Sequence, residues 1–241
     1  MQLTKDLRFM VQTAFAPIRG ATHRDRLESF YGRQADDYDR TRRRLLPGRQ
    51  DLIQRLPFAP GGVWIDLGGG TGANLEAVGD RLHQLKKVII IDLVPALLKI
   101  AEKRILRHRW TNVVTRQEDA ARLPLHLEEA DVVTFSYSLT MIPDWYTAVE
   151  NAFRLLKPGG HLGVVDFYVS RKHPTCGFVR HNAWTRSFWP WWFAHDNVFL
   201  NPDHIHYLHQ LFEPVHFSEH RASLKYLPIG RVPYYQFVGR K

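Results

Sequence analysis

At 241 residues with 44% hydrophobic content, the chain is long enough for one α/β core and gives no reason to divide it into two. A single cysteine, Cys176, excludes an internal disulfide and fits a reducing compartment, and no run of 18 apolar residues offers a membrane span. The 33 Lys and Arg against 24 Asp and Glu give a net charge of +9, which calls for an anionic partner: nucleic acid, anionic lipid or an acidic small molecule.

The first 55 or so residues read as helical. Leu7, Met10, Val11, Ala14 and Phe15 keep the spacing of one apolar helix face, and FMVQTAFA is too short and too interrupted by Gln12 for a secretory core. A cluster of arginines, Arg40, Arg42, Arg43, Arg44 and Arg49, precedes the first strand. From there strands are expected at 63–67, 88–92, 112–116, 131–136 and 161–167, alternating with helices at 73–83, 95–107 and 144–156. Such alternation means a mostly parallel sheet covered by helices. Pro95 suits a helix N-terminus, and Lys157-Pro158-Gly159-Gly160 stops the helix before the fifth strand. Beyond Phe167 the chain turns aromatic, His-rich and Pro-punctuated, until Val215–His220 and Tyr234–Val238 offer a closing antiparallel hairpin. The expected organisation is one domain over 1–241: a helical cap to residue 55, a binding core at 56–167, and a substrate-facing insert with closing strands at 168–241.

The densest signal is GGVWIDLGGGTG at 61–72. A β-type run ends in glycines at 68, 69, 70 and 72, where bare backbone can approach a ligand that any Cβ would obstruct. Gly68, Gly70 and Ala73 also satisfy the dinucleotide pattern GxGxxG/A, with Asp92 about 20 residues on to hold ribose hydroxyls. Asp66 decides between the nucleotides, because a carboxylate just before the loop repels a pyrophosphate and suits the ammonium of S-adenosylmethionine (SAM). LLKPGG at 155–160 adds to this. With these motifs, residues 61–167 resemble the class I SAM-dependent methyltransferases, which implies a Rossmann-like α/β fold with an antiparallel closing strand, and S-adenosylhomocysteine (SAH) as product.

The resemblance assigns roles by position. Asp92 would accept from the ribose diol and Leu93 would pack on the adenine. Asp119 and Ala120 form the acidic-Ala pair that meets the adenine amino group and ring, while Asp66 orders the loop and attracts the ammonium. Gly68, Gly69 and Gly70 bring backbone to the cofactor, and Ser136–Leu139 follows the fourth strand into the same crevice. Tyr31 and Tyr38 resemble the tyrosines that close over the methionine end, whose carboxylate Arg42 or Arg49 would pair. Each has an ordinary competitor: a helix cap for Asp92, a surface turn for Asp119, core packing for the tyrosines.

Methyl transfer from an activated sulfonium mainly needs alignment and exclusion of water, so no triad is expected. Tyr137 and Ser138 are placed to line the acceptor cavity, and His195, beside Asp196 and Asn197, is the candidate to take a proton from an acceptor amine. A turn built from Asp196 and Asn197 explains that triplet equally well. His204, His206 and His209 lack carboxylate or thiolate partners at ligand spacing, so no metal is expected.

FYGRQADDYDRTRRRLLPGR at 30–49, HDNVFLNPDHIHYL at 195–208 and VPYYQFVGRK at the C-terminus resemble the diacylglyceryl-homoserine N-methyltransferases of betaine-lipid synthesis. That resemblance implies three methylations of one lipid-linked amine by a free-standing enzyme, associated with the enzyme that adds the homoserine group. Phosphatidylethanolamine or a quinone ring carbon are the alternative acceptors. WTRSFWPWWF at 184–193, with Arg171, Lys172, Arg180 and Arg186, suits a peripheral protein at the cytoplasmic face of an anionic inner membrane. The same rings suit a core or dimer interface, or, less well, stacked RNA bases in an RNA-interacting protein.

Overall fold

The run VWIDL is apolar on both faces apart from its aspartate, and in the computed structural model it forms an interior strand, β1 (Val63–Leu67), buried throughout. The structure describes residues 20–31, 46–124, 129–195, 197–223 and 230–241. The N-terminal helix face on Leu7 to Phe15 lies outside them. Among the described residues, the helices α1 (His23–Tyr31) and α2 (Arg49–Arg55) precede β1. Then follow β2 (Lys87–Asp92), α3 (Pro95–His108), β3 (Val113–Gln117), β4 (Ala130–Ser136), α4 (Trp145–Leu155) and β5 (Leu156–Phe167). The C-terminal part adds α5 (Ala183–Ala194), α6 (His204–Leu211), β6 (Glu213–Ala222) and β7 (Val232–Arg240).

The seven strands order β3-β2-β1-β4-β5-β7-β6, the first five parallel and β7 antiparallel to both β5 and β6. Chain order reverses at β1, which pairs β2 on one side and β4 on the other. That switch opens a crevice above the carboxyl ends of these strands. Alternate residues feed the two faces: Val63, Ile65 and Leu67 join α4 and α6, whereas Trp64 packs with α2 and α3. A third apolar cluster, containing Leu27, Leu97, Met141, Phe167, Trp189 and Phe193, caps the end of the sheet where the crevice lies.

Two expectations are corrected. Residues 73–83 do not form one α-helix but two 3-10 turns, Ala73–Ala77 and Gly79–Gln84, because Gly79 takes φ +62° and breaks the helical path. The KPGG segment does not stop a helix from outside. The helix already ends at Leu155, and KPGG begins β5 across an irregular register with β4, Gly159 donating to the Lys241 carbonyl at 3.0 Å.

Candidate active site

The glycines are required by what surrounds them. Gly68 and Gly70 sit at φ +68° and +55°, and a Cβ on Gly68 would stand 2.3 Å from that of Ser138. On Gly69 it would stand 2.8 Å from Asp66 Oδ2. The loop is further pinned by the Gly68 and Gly69 amides donating to the Ile91 carbonyl at 2.8 and 3.1 Å.

Two buried carboxylates organise this turn from different depths. Asp66 lies under it, fully buried, accepting from Thr134 Oγ1 at 2.6 Å and Asn74 Nδ2 at 2.9 Å. Asp66 therefore orders the loop from below and is not on the cavity wall, which corrects the expected direct attraction of an ammonium. Asp92 is on the wall, its Oδ2 accepting from Gly70 N at 2.8 Å and its Oδ1 from Val94 N at 2.9 Å. The second bond fixes the residue before α3, which has no side-chain cap of its own, and each oxygen keeps a further lone pair for a ligand. Burial pushes both carboxyls up to about 6, against the hydrogen bonds that favour their ionised forms.

The cavity has a volume of about 280 Å³. Gly68, Gly70, Asp92, Leu93, Asp119 and Ala120 line it, as the sequence led us to expect, whereas Gly69 faces Asp66 and does not. Asp119 accepts from Ala121 N at 2.9 Å, and Asn151 Nδ2 donates to the Ala120 carbonyl at 2.9 Å, which fixes the acidic-Ala pair against α4. Tyr137 and Ser138 also line it, Ser138 beside Gly68 with its Oγ donating to the Leu67 carbonyl at 2.8 Å. Ser136 is buried one residue too early to reach the wall, a correction that follows from the sharp turn at Tyr137, φ +55°.

Neither proposed catalytic group is placed as a base. Tyr137 gives its hydroxyl to the Pro47 carbonyl at 2.5 Å, and burial near Asp166 holds its pKa well above the ordinary phenol value. It shapes the wall. His195 sits exposed at the end of α5 with Nδ1 against the Trp191 carbonyl at 2.9 Å, and it does not line the cavity. The helix that carries it turns that end outward.

Tyr38, Arg42 and Asp196 lie outside the described residues, as does the side chain of Tyr31 at the end of α1. Arg49 is described at the start of α2, where its charge favours the ionised forms of Asp66 and Tyr137, and it does not line the cavity. Sequence reasoning missed His23 and Leu27 of α1, which line the cavity. Burial lowers the His23 pKa, with Arg26 adding to this and Asp119 opposing it. No local motif marks this histidine. Asp166, at the end of β5, was also missed. It is fully buried, accepts from Thr140 Oγ1 at 2.8 Å, and is pushed up to about 7 by desolvation. Among the described residues no three His, Cys, Asp or Glu side chains converge as a metal site. Instead His204, His206 and His209 pack on Trp145, Phe178 and Phe217.

A glycine turn at the switch point, a buried acid ending β2 and an acidic-Ala pair after β3, on this sheet order, define a class I SAM-dependent methyltransferase. Residues 49–207 match the model of the ubiE/COQ5 methyltransferase family, and the chain belongs to that family. It is 28% identical over 156 residues to a demethylmenaquinone methyltransferase of Lactococcus lactis subsp. lactis (strain IL1403), a match spanning 63% of this chain and 60% of that relative. Among solved structures, an O-methyltransferase family protein from Burkholderia thailandensis superposes with a TM-score of 0.66 at 20% identity, covering 98% of this chain and 70% of the other. The N-methyltransferase NodS from Bradyrhizobium japonicum WM9, solved with SAH, gives 0.56 at 18% identity, covering 87% and 90%. At these identities the structural likeness is one of fold.

Proposed function

We propose that the protein methylates a lipid-borne acceptor, with the adenosine of SAM seated between the glycine turn and Asp119. The observation that carries the cofactor half is Asp92, a buried carboxylate on the cavity wall that is tied to the turn and still has lone pairs for a ribose diol. For the acceptor, the family and the Lactococcus relative's name support the ring carbon of a quinone. The amine of diacylglyceryl-homoserine has separate support. Its resemblance extends to the C-terminal segment at 232–241, beyond the matched stretch. Of the two groups the sequence offered as bases, Tyr137 is bonded to Pro47 and His195 stands away from the cavity. An amine that deprotonates before it enters needs none. On that reading the protein works at the cytoplasmic membrane face beside the enzyme that supplies the homoserine group.

Purified protein given methyl-labelled SAM and detergent-dispersed acceptors separates these readings. Label on demethylmenaquinol supports the quinone, and successive labelling of diacylglyceryl-homoserine supports the amine. Phosphatidylethanolamine, which lacks the headgroup carboxylate, is expected to react poorly. Label in none of the three lipids overturns the proposal.

A further inference from the structure

The Trp-rich segment resolves into a helix with two aromatic faces. In α5, Thr185, Trp189 and Phe193 are buried, and Trp189 and Phe193 belong to the cluster with Leu97, Met141 and Phe167. Trp184 and Trp191 are instead 63% and 61% exposed. Residues 184, 188 and 191 follow the i, i+4, i+7 spacing of one helix face, and Trp184 stacks on Phe188 with ring centroids 4.9 Å apart. A buried face explains the first set of rings. Nothing among the described residues covers the second, and large apolar side chains gathered on an exposed stripe mark an interaction surface.

Two further observations say what covers the stripe. The first is position: Leu97 and Met141, against which the inner face of α5 packs, also line the SAM cavity. The outer stripe therefore stands about one helix diameter, roughly 10 Å, from that wall. The second is charge. Residues 168–202 contain one acid, Asp196, against Arg171, Lys172, Arg180 and Arg186; Arg171 pairs with Asp203 at 2.6 Å, while Lys172 is exposed and Arg180, just before the helix, is exposed beside the 40% exposed Val179. Tryptophans at an exposed face with cations around them are what an anionic bilayer surface holds, the rings sitting at headgroup level and the cations on the lipid phosphates.

We propose that the outer face of α5, through Trp184 and Trp191, docks the protein on an anionic membrane and sets the cavity mouth against the lipid layer. This rests on the reading of a lipid-borne acceptor and deepens it: the acceptor would pass from the headgroup layer to the methyl group without crossing water. The inner rings have a different task, so Trp189 is a fold residue and not a docking one.

The test uses vesicles that contain no acceptor, phosphatidylcholine with phosphatidylglycerol, so that surface binding and acceptor identity fail separately. The protein is expected to float with these vesicles and to be released as salt rises. Trp184→Ala with Trp191→Ala is expected to lower vesicle binding about tenfold or more while SAH affinity, measured by calorimetry, stays unchanged. With acceptor supplied in vesicles turnover should fall in that variant, and with acceptor in detergent it should not. Wild-type protein that fails to float, or a variant that binds SAH normally and floats like wild type, overturns the docking face. So does a self-associating wild type that the double substitution turns into a monomer without altering flotation, because the stripe is then an interface between copies.

Discussion

Asp92 Oδ2 holds the Gly70 amide at 2.8 Å, so the end of β2 and the glycine turn are one hydrogen-bonded unit on the cavity wall. A substitution at Asp92 is therefore felt both by a bound ribose and by the turn itself. Asp92→Asn keeps the side-chain volume but replaces one acceptor oxygen with a donor that faces an amide already donating. We expect SAH affinity to fall by about 1.5–3 kcal/mol, the range for a hydrogen bond to a charged group, with a smaller drop in the melting temperature of the ligand-free protein. Calorimetry showing affinity within twofold of wild type would remove Asp92 from the cofactor site.

Asp166 and His204 predict opposite pH effects on stability. Burial raises the Asp166 pKa from 3.8 to about 7, so the folded chain holds that proton more tightly than the unfolded one. Its contribution is full below the unfolded pKa and is lost as pH rises toward 7. His204 is fully buried with no hydrogen-bond partner for either ring nitrogen among the described residues, and burial lowers it from 6.5 to about 3. Its cost is absent above 6.5 and grows as pH falls below that value. The melting temperature of Asp166→Asn relative to wild type should thus climb as pH rises from about 4 to about 7, and that of His204→Leu should climb as pH falls below about 6.5. Parallel pH profiles for both variants and the wild type would mean that these groups do not titrate on unfolding.

The legibility of the fold follows from which residues are constrained by more than one demand. β1, β2 and β4 were readable because apolar residues on both faces, bounded by glycine or aspartate, have few other solutions. The 61–72 turn was readable because glycine density at a strand end serves close approach. Pattern failed where two faces carry the same chemistry: in α5 the aromatic residues leave no polar side, so sequence could not say that Trp189 points in and Trp191 out. It also failed for His23, brought to the cavity by tertiary packing alone. Ser136 was misjudged by the left-handed turn at Tyr137, a conformation that a tyrosine rarely signals.

Tyr137→Phe tests whether the phenol does chemistry. The hydroxyl is donated to the Pro47 carbonyl at 2.5 Å, so its loss should cost about 0.5–1.5 kcal/mol of stability and leave turnover with a saturating acceptor within a few-fold of wild type. A drop of a hundredfold or more, with the protein still folded, would return Tyr137 to a catalytic role. Chemical denaturation and steady-state turnover measured on the same preparation separate the outcomes.

The turn itself gives the sharpest comparison, because two glycines with similar backbone angles have different surroundings. At Gly68 a Cβ would lie 2.3 Å from Ser138 Cβ and force apart the junction that Ser138 makes with the Leu67 carbonyl, so Gly68→Ala should lose both stability and SAH binding. At Gly70 the nearest atoms to a Cβ are Leu97 Cδ1 at 3.7 Å and Asp92 Oδ2 at 3.8 Å, ordinary contacts that leave only the left-handed backbone penalty of about 1–2 kcal/mol. Gly70→Ala should therefore fold, with a modestly lower melting temperature. The added methyl, however, stands beside the Asp92 carboxylate on the cavity wall, in the space where we propose the cofactor sits. SAH affinity should fall about tenfold or more in a protein that is still folded. If Gly70→Ala binds SAH as tightly as wild type, the bare backbone at that position is not the seat of the cofactor.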